Sequence, residues 1–295
     1  LTRLLELLIN GVSLGAVYAL IALGFVIIFK ASEVVNFAHS SLLLLGAYVI
    51  ATSHDDLGFA GALAAGICAA AACGALIEFV LLRRSRTRRD VLAIATIGID
   101  IVLTAELVRR IGPNVMSLGD PWRDRVVHLG GITIAQTRLA ALLVAALLIG
   151  VFLAAFRYTP WGVAMRSAAE DSETAALMGV RLGRTMMSAW AVAGALAAVA
   201  AVFLTAFPTP GLDRTTSIAA LKAFPAAILG GLDSTTGALV GGLLIGVTES
   251  LASGYQSDLA FLGRGLGDVA PYTVMVLVLL WRPAGLFGTR EVSRA

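Results

Sequence analysis

The sequence predicts an all-α polytopic membrane protein. Three observations predict it. Hydrophobic residues make up 58% of the 295 residues before the 31 glycines are counted, and charged residues only 14%, against roughly 25% in soluble domains. Mean hydropathy is +0.89. The charges fall between long charge-free runs instead of being spread along the chain. A soluble fold built from this chain would leave large apolar patches in water, which is rare. That excludes a soluble enzyme, a disordered chain and a nucleic-acid-binding domain. The pI near 9.1 does not alter this, because the net charge is only +3 and the basic residues are not gathered into one stripe.

A helix needs about 20 mostly apolar residues to cross a bilayer. Residues 7–29, 34–54 and 57–77 carry no Asp, Glu, Lys or Arg, and each is long enough. The first run exceeds the roughly 7–15-residue core of a signal peptide and reads as a span. Residues 91–108 are apolar except for Asp100 and Glu106. Runs 139–156 and 185–212 follow, and 269–281 ends on Trp281, an expected interface anchor. The region 215–248 differs. Its two runs, 223–232 and 234–248, are separated by Asp233 and interrupted by Pro225, Gly230, Gly231 and Gly237. Such short helices reach only about 15–23 Å, less than a hydrocarbon core of about 30 Å. A broken or re-entrant pair near 219–252, facing the protein interior beside a transport path, is therefore expected. Two kinked spanning helices are the alternative. The total is about eight transmembrane segments in a single domain, 1–295.

Orientation follows Arg and Lys. Arg83, Arg84, Arg86, Arg88 and Arg89 crowd one loop; Arg157, Arg166, Arg181 and Arg184 lie in another; Arg282, Arg290 and Arg294 lie in the tail. All three are cytoplasmic if the N-terminus is outside and the C-terminus cytoplasmic. Loop 109–137 then falls outside, although it holds Arg109, Arg110, Arg123 and Arg125 beside Asp120 and Asp124. Gly11/Gly15, Gly237/Gly241 and Gly242/Gly246 form G-x-x-x-G pairs, which let membrane helices approach closely.

Catalytic motifs are lacking. Gly11-Val12-Ser13-Leu14-Gly15 has the G-x-S-x-G spelling, but that elbow needs a strand–turn–helix and here lies inside an apolar helix. The three histidines form no H-E-x-x-H, and neither Lys30 nor Lys222 follows a glycine as a Walker A lysine does. Cys68 and Cys73 point about 140° apart on a helix, so they form neither a disulfide nor a metal pair. No metal or cofactor site is expected in this chain. Charges within a span are functional candidates by default. Asp100 is central in its run, Glu106 lies about 120° around the same helix, and Lys222 borders the broken pair; an Asp100–Lys222 pair is left open. Asp100 as the ion site of a stand-alone secondary transporter is the competing functional class.

Between the fifth and sixth runs, 157–186 is a cytoplasmic loop with its own helix. Glu170, Asp171 and Glu173 suit a helix start, with Asp171 or Ser172 as cap. Ala175, Ala176, Leu177 and Met178 continue it and Gly179 ends it. Leu177 and Met178 would present an apolar knob to a groove on a partner.

Four blocks make the pattern specific. They are Asn10-Gly11 through Ala19-Leu20 with Gly24; Val35-Asn36-Phe37-Ala38-His39 with Leu45-Gly46-Ala47-Tyr48; Thr159, Gly162, Met165-Arg166, Asp171, Ala175-Ala176 and Gly179; and Phe224 through Gly231 with Gly237, Gly241-Gly242, Gly246, Glu249 and the Arg282-Pro283-Ala284-Gly285-Leu286-Phe287-Gly288 stretch. In this order they resemble the LivH-type permeases, membrane subunits of branched-chain amino-acid ABC importers, a pattern shared with urea, amide and carboxylate importers. One departure is Ser40-Ser41, where the family commonly has Gly and an acidic residue. The resemblance implies a second, LivM-like permease, two ATPase subunits that bind ATP and Mg, and an extracytoplasmic substrate-binding protein. It implies a location in the bacterial cytoplasmic membrane, and a path between the two permeases. Candidate path groups are Asn36, His39, Ser40, Ser41, Asp100, Pro225 and Gly230. Arg166, Asp171, Glu173, Ala175, Leu177, Met178 and Gly179 would couple the chain to the ATPases.

Overall fold

Helix α1 (Thr2–Ser32) is apolar on every side over most of its length, and such a helix belongs in a core: every residue from Ser13 to Ile28 is buried. In a computed structural model, which describes residues 2–82, 89–122, 125–129, 132–206, 210–258, 261 and 263–289, the other helices are arranged around it. Among the described residues, six helices are long and apolar enough to cross a membrane. The most apolar window of α1 is 89% buried, against 11% in α3 (Arg89–Ile111) and 17% in α4 (Gln136–Tyr158). Helices α1 and α7 (Leu182–Leu204) thus form the centre, and α3 and α4 the periphery. Leu143, Leu147 and Val151 stand exposed at four-residue spacing on α4, the stripe that a lipid-facing helix shows.

Helix α2 (His39–Ile77) breaks at Gly58, whose φ is 66° and ψ 168°. A Cβ on Gly66 would lie 2.8 Å from the Gly46 carbonyl oxygen, and one on Gly74 would lie 3.6 Å from Leu42 Cδ1. In a straight helix, residues twenty apart would be about 30 Å apart. The two arms therefore fold back on each other, as expected for separate runs 34–54 and 57–77. A π-helical turn, Glu78–Leu82, follows. Residues 83–88, which hold most of the predicted cytoplasmic Arg cluster, and 290–295, with Arg290 and Arg294, lie outside the described residues, as does Arg123.

The fold is not wholly α. Strands β1 (Val126–Leu129) and β2 (Ile132–Ala135) pair antiparallel, with Val126 opposite Ala135 and Val127 opposite Ile134. Two β-branched runs flank Gly130-Gly131 in the sequence, a hairpin signal that a helix-only reading passes over.

Helices α5 (Pro160–Glu170) and α6 (Ser172–Leu177) occupy the expected loop. Next come α8 (Thr216–Leu221), α9 (Ala223–Gly230), α10 (Thr235–Gly254) and α11 (Leu266–Trp281). The α8–α9 break falls at Lys222. Pro225 has no N–H to give the Leu221 carbonyl, so a continuous helix cannot form there. Helix α10 presents two glycine faces. A Cβ on Gly241 would strike the Ala226 carbonyl of α9, and one on Gly242 would lie 2.5 Å from Ala19 N of α1. Gly246 meets the Gly15 backbone, and a Cβ on Gly11 would lie 2.7 Å from Val247 Cα. The G-x-x-x-G pairs thus join α1 to α10 and α10 to α9.

Candidate functional site

The α1–α2 elbow is held from α3. Thr96 and Asp100, four apart, lie on one helix face. The Phe37 N–H donates to Thr96 Oγ1 at 3.0 Å. Asp100 Oδ1 accepts from Ser40 Oγ at 2.9 Å and from the Ser41 N–H at 3.2 Å. Asn36 is fully buried, and its Oδ1 accepts from the Ala38 N–H at 3.0 Å. His39 is also fully buried, with its ring 4.6 Å from that of Phe25 and pressed against Gly24, where a Cβ would collide with it. Five of the predicted path residues, Asn36, His39, Ser40, Ser41 and Asp100, therefore come together. Pro225 and Gly230 are buried on α9. The next residue to Pro225, Phe224, packs on Phe25 at 5.3 Å and Phe37 at 5.6 Å, which joins the two groups.

The open Asp100–Lys222 pairing does not form. Lys222 Nζ donates instead to Glu249 Oε1 at 2.8 Å and to Asp268 Oδ1 at 2.6 Å. Glu249 Oε2 accepts from the buried Tyr18 hydroxyl at 2.7 Å. A membrane-embedded charge is tolerated when paired in this way. The cluster lies against a cavity of about 540 Å³ that Leu204, Ile218, Ala219 and Tyr272 also line. At its edge is Asp213. Burial raises its pKa, but hydrogen bonds from Thr215 and Thr216 outweigh that and hold the carboxyl below its usual range. Sequence reasoning misses this cluster, because residues that bond directly within it are up to 231 positions apart. The signal available to it is two charges, Lys222 and Glu249, in otherwise apolar runs. Glu106, by contrast, pairs along its own helix, with Arg109 at 2.8 Å and Arg110 at 2.6 Å.

The predicted partner-facing helix forms as its sequence dictates. Asp171 caps α6, its Oδ1 accepting from the Glu173 and Thr174 N–H groups, both at 3.0 Å. The Thr174 hydroxyl and these N–H groups hold the Asp171 carboxyl below its ordinary range. Gly179 ends the element with a φ of 91°. Leu177 is 88% and Met178 81% exposed, whereas Ala175 is buried. Sequence reasoning misses α5, which Thr159 caps by accepting from the Gly162 N–H. Helix α5 brings Arg166 to the C-terminal end of α1. Arg166 donates to the Phe156 carbonyl and lies over the Phe156 ring, and Lys30 lies 5.8 Å from the same ring. Lys30 Nζ in turn donates to the Asp233 carbonyl at 2.7 Å, in the turn between α9 and α10. Asp233 Oδ2 accepts from the Thr289 N–H at 2.8 Å. Thus the α5–α6 region, the end of α1, the α9–α10 turn and the tail converge.

A family model described as branched-chain amino acid transport system / permease component matches residues 7–280. The chain belongs to that family. The Escherichia coli (strain K12) high-affinity branched-chain amino acid transport system permease protein LivH is 32% identical, with 98% of this chain and 97% of that protein covered. The Pseudomonas aeruginosa permease protein BraD is 29% identical at the same coverage. The E. coli permease protein LivM is 25% identical over 93% of this chain and 68% of its own length. Family membership accounts for the long apolar helices: the chain is a multi-pass membrane permease.

Proposed function

We propose that the chain forms half of the path of an ATP-driven importer of branched-chain amino acids in the cytoplasmic membrane. A second, LivM-like permease forms the other half, two partner subunits hydrolyse ATP, and an external binding protein delivers substrate. The observation that carries the coupling role is α6, a capped helix whose Leu177 and Met178 project almost wholly into solvent. Large apolar side chains that stand so far out on a small, well-ended helix fit a groove on a partner. Helix α5, which leads directly into α6, carries Arg166 to the Phe156 ring that Lys30 also approaches, and Lys30 bonds the Asp233 turn between α9 and α10. A push on α6 would thereby bias the buried helices, as a two-state transport element requires. Asn36, His39, Ser40 and Ser41, all buried, and the half-buried Asp100 pin the elbow beside Phe25 and Phe224.

We place the N-terminus outside and the C-terminus inside. The two α2 arms and the kinked α8–α9 segment then count as crossings, and α6, Lys30, Asp233 and Thr289 share the cytoplasmic end. This favours two kinked spanning helices over a re-entrant pair. Asp100 serves as a structural acceptor, which argues against an ion-coupled stand-alone transporter.

The test is Leu177→Asp in the purified complex. ATP hydrolysis by the partner subunits is expected to continue while leucine uptake falls about tenfold or more, the loss of roughly one good contact's worth of coupling. Normal, coupled uptake would refute the docking role.

A further inference from the structure

The polar end of the broken helix pair plays no part in the coupling junction. Resting on the import reading above, we propose that Lys222 and Asp268 form a binding site for the zwitterionic head group of an α-amino acid. The two bonds that Lys222 makes are unequal. Toward Glu249 the pair is buried on both sides, with side-chain exposures of 16% and 7%, and the second carboxylate oxygen is taken by the buried Tyr18 hydroxyl. Toward Asp268 the carboxylate is 73% exposed. The first half is fixed in the packing of α1 and α10. The second is reached by water, weakly held and able to open.

An ammonium has three donor protons, and Lys222 uses two here. An amino acid that enters between Lys222 and Asp268 places its carboxylate on Lys222 and its ammonium on Asp268. One ion pair is replaced by two, no charge is left unpaired, and the Glu249–Tyr18 half need not move. A plain carboxylate would set an anion beside Asp268. A neutral amide or urea would open the pair without replacing either charge. Asp213, at the cavity edge, is held in its own turn by Thr215 and Thr216 at 2.8–3.1 Å. The adjoining cavity of about 540 Å³ lies within the size range of small-molecule sites. Its walls at Leu204, Ile218 and Ala219 are apolar, which suits a branched aliphatic side chain. Because α8 and α9 part at Lys222, ligand-driven opening of this pair acts directly on the segment that ends at Gly230 and the Asp233 turn.

The experiment uses the full complex reconstituted in proteoliposomes and a diazirine analogue of leucine as probe. The analogue is photolysed with the transporter loaded, and adducts are mapped by mass spectrometry. The expected adducts fall on peptides that contain Leu204, Ile218 or Tyr272. They are suppressed by excess leucine and lost in Asp268→Asn, whose leucine uptake falls about tenfold or more, as expected for one lost charge-assisted contact. Co-purification of the partner chains shows that the variant assembles. Adducts elsewhere, or wild-type labelling and uptake in Asp268→Asn, would overturn the site while ATP-driven leucine uptake leaves the permease reading standing. A wild-type complex that takes up no leucine with ATP would overturn that reading and the site with it.

Discussion

Asp100 shows how a half-buried charge within a span can be structural. It accepts one bond from a hydroxyl and one from a backbone N–H in the first turn of α2. Asp100→Asn keeps an acceptor at Oδ1, so uptake close to wild type is expected. Asp100→Ala leaves the Ser41 N–H without a partner and should destabilise the protein by about 1–3 kcal/mol, read as a lower unfolding temperature in detergent. If Asp100→Asn alone abolished uptake and Asp100→Ala unfolded no earlier than wild type, the carboxylate would be a proton or ion site instead. Asp171 titrates in the other setting, in water at the start of α6. Its folded pKa is held below the ordinary value, which is about 3.9. The cap's contribution is thus fully present above the ordinary value and lost only as pH falls through the lowered one. Hydrogen exchange over 171–178, corrected for intrinsic rates, should show no opening between about pH 7 and 5. Opening within that window would contradict the cap. The contrast also explains what is legible in the sequence. Asp171 and Gly179 act on near neighbours, so their roles are written locally. Asp100 and Lys222 are equally visible as charges, but their partners lie 27 to 60 residues away, and only packing chooses among them.

At the scale of elements, glycine decides how close the helices come. Gly11, Gly15, Gly242 and Gly246 let α1 and α10 meet backbone to backbone, in a setting where helix association depends on packing and not on water. Gly246→Leu would force a side chain into the Gly15 backbone. A loss of about 1–3 kcal/mol or more is expected from such overpacking, measured as thermal unfolding in detergent. A variant as stable as wild type would mean that the two helices do not touch there. The glycine spacing is readable from the sequence. Which helix each face meets is not, because a chain with 31 glycines offers many equivalent pairs. Gly58 gives a similar partial signal: the charge-free runs on each side predict two arms, and the positive φ supplies the reversal between them. The β1–β2 hairpin escapes a reading by long apolar runs because its two strands are only four residues each, too short to stand out beside the spanning helices.

For the whole molecule, composition, ordered motifs and family membership agree on a membrane permease, and the structure arranges it around a buried α1 with a polar cluster midway along it and a junction of α5, the α9–α10 turn and the tail at its C-terminal end. Lys222, Glu249 and Tyr18 lie at the first; Lys30, Asp233 and Arg166 lie at the second. Helices α1 and α10 run between them. On the proposed function, a push at α6 reaches the polar cluster through this junction, and partner ATPases supply the push. The most direct measurement is therefore leucine uptake by proteoliposomes that hold the complete complex. Uptake is expected to require hydrolysable ATP and the binding protein, and to be indifferent to a proton uncoupler. Uptake by this chain alone, without ATP and abolished by the uncoupler, would contradict the account.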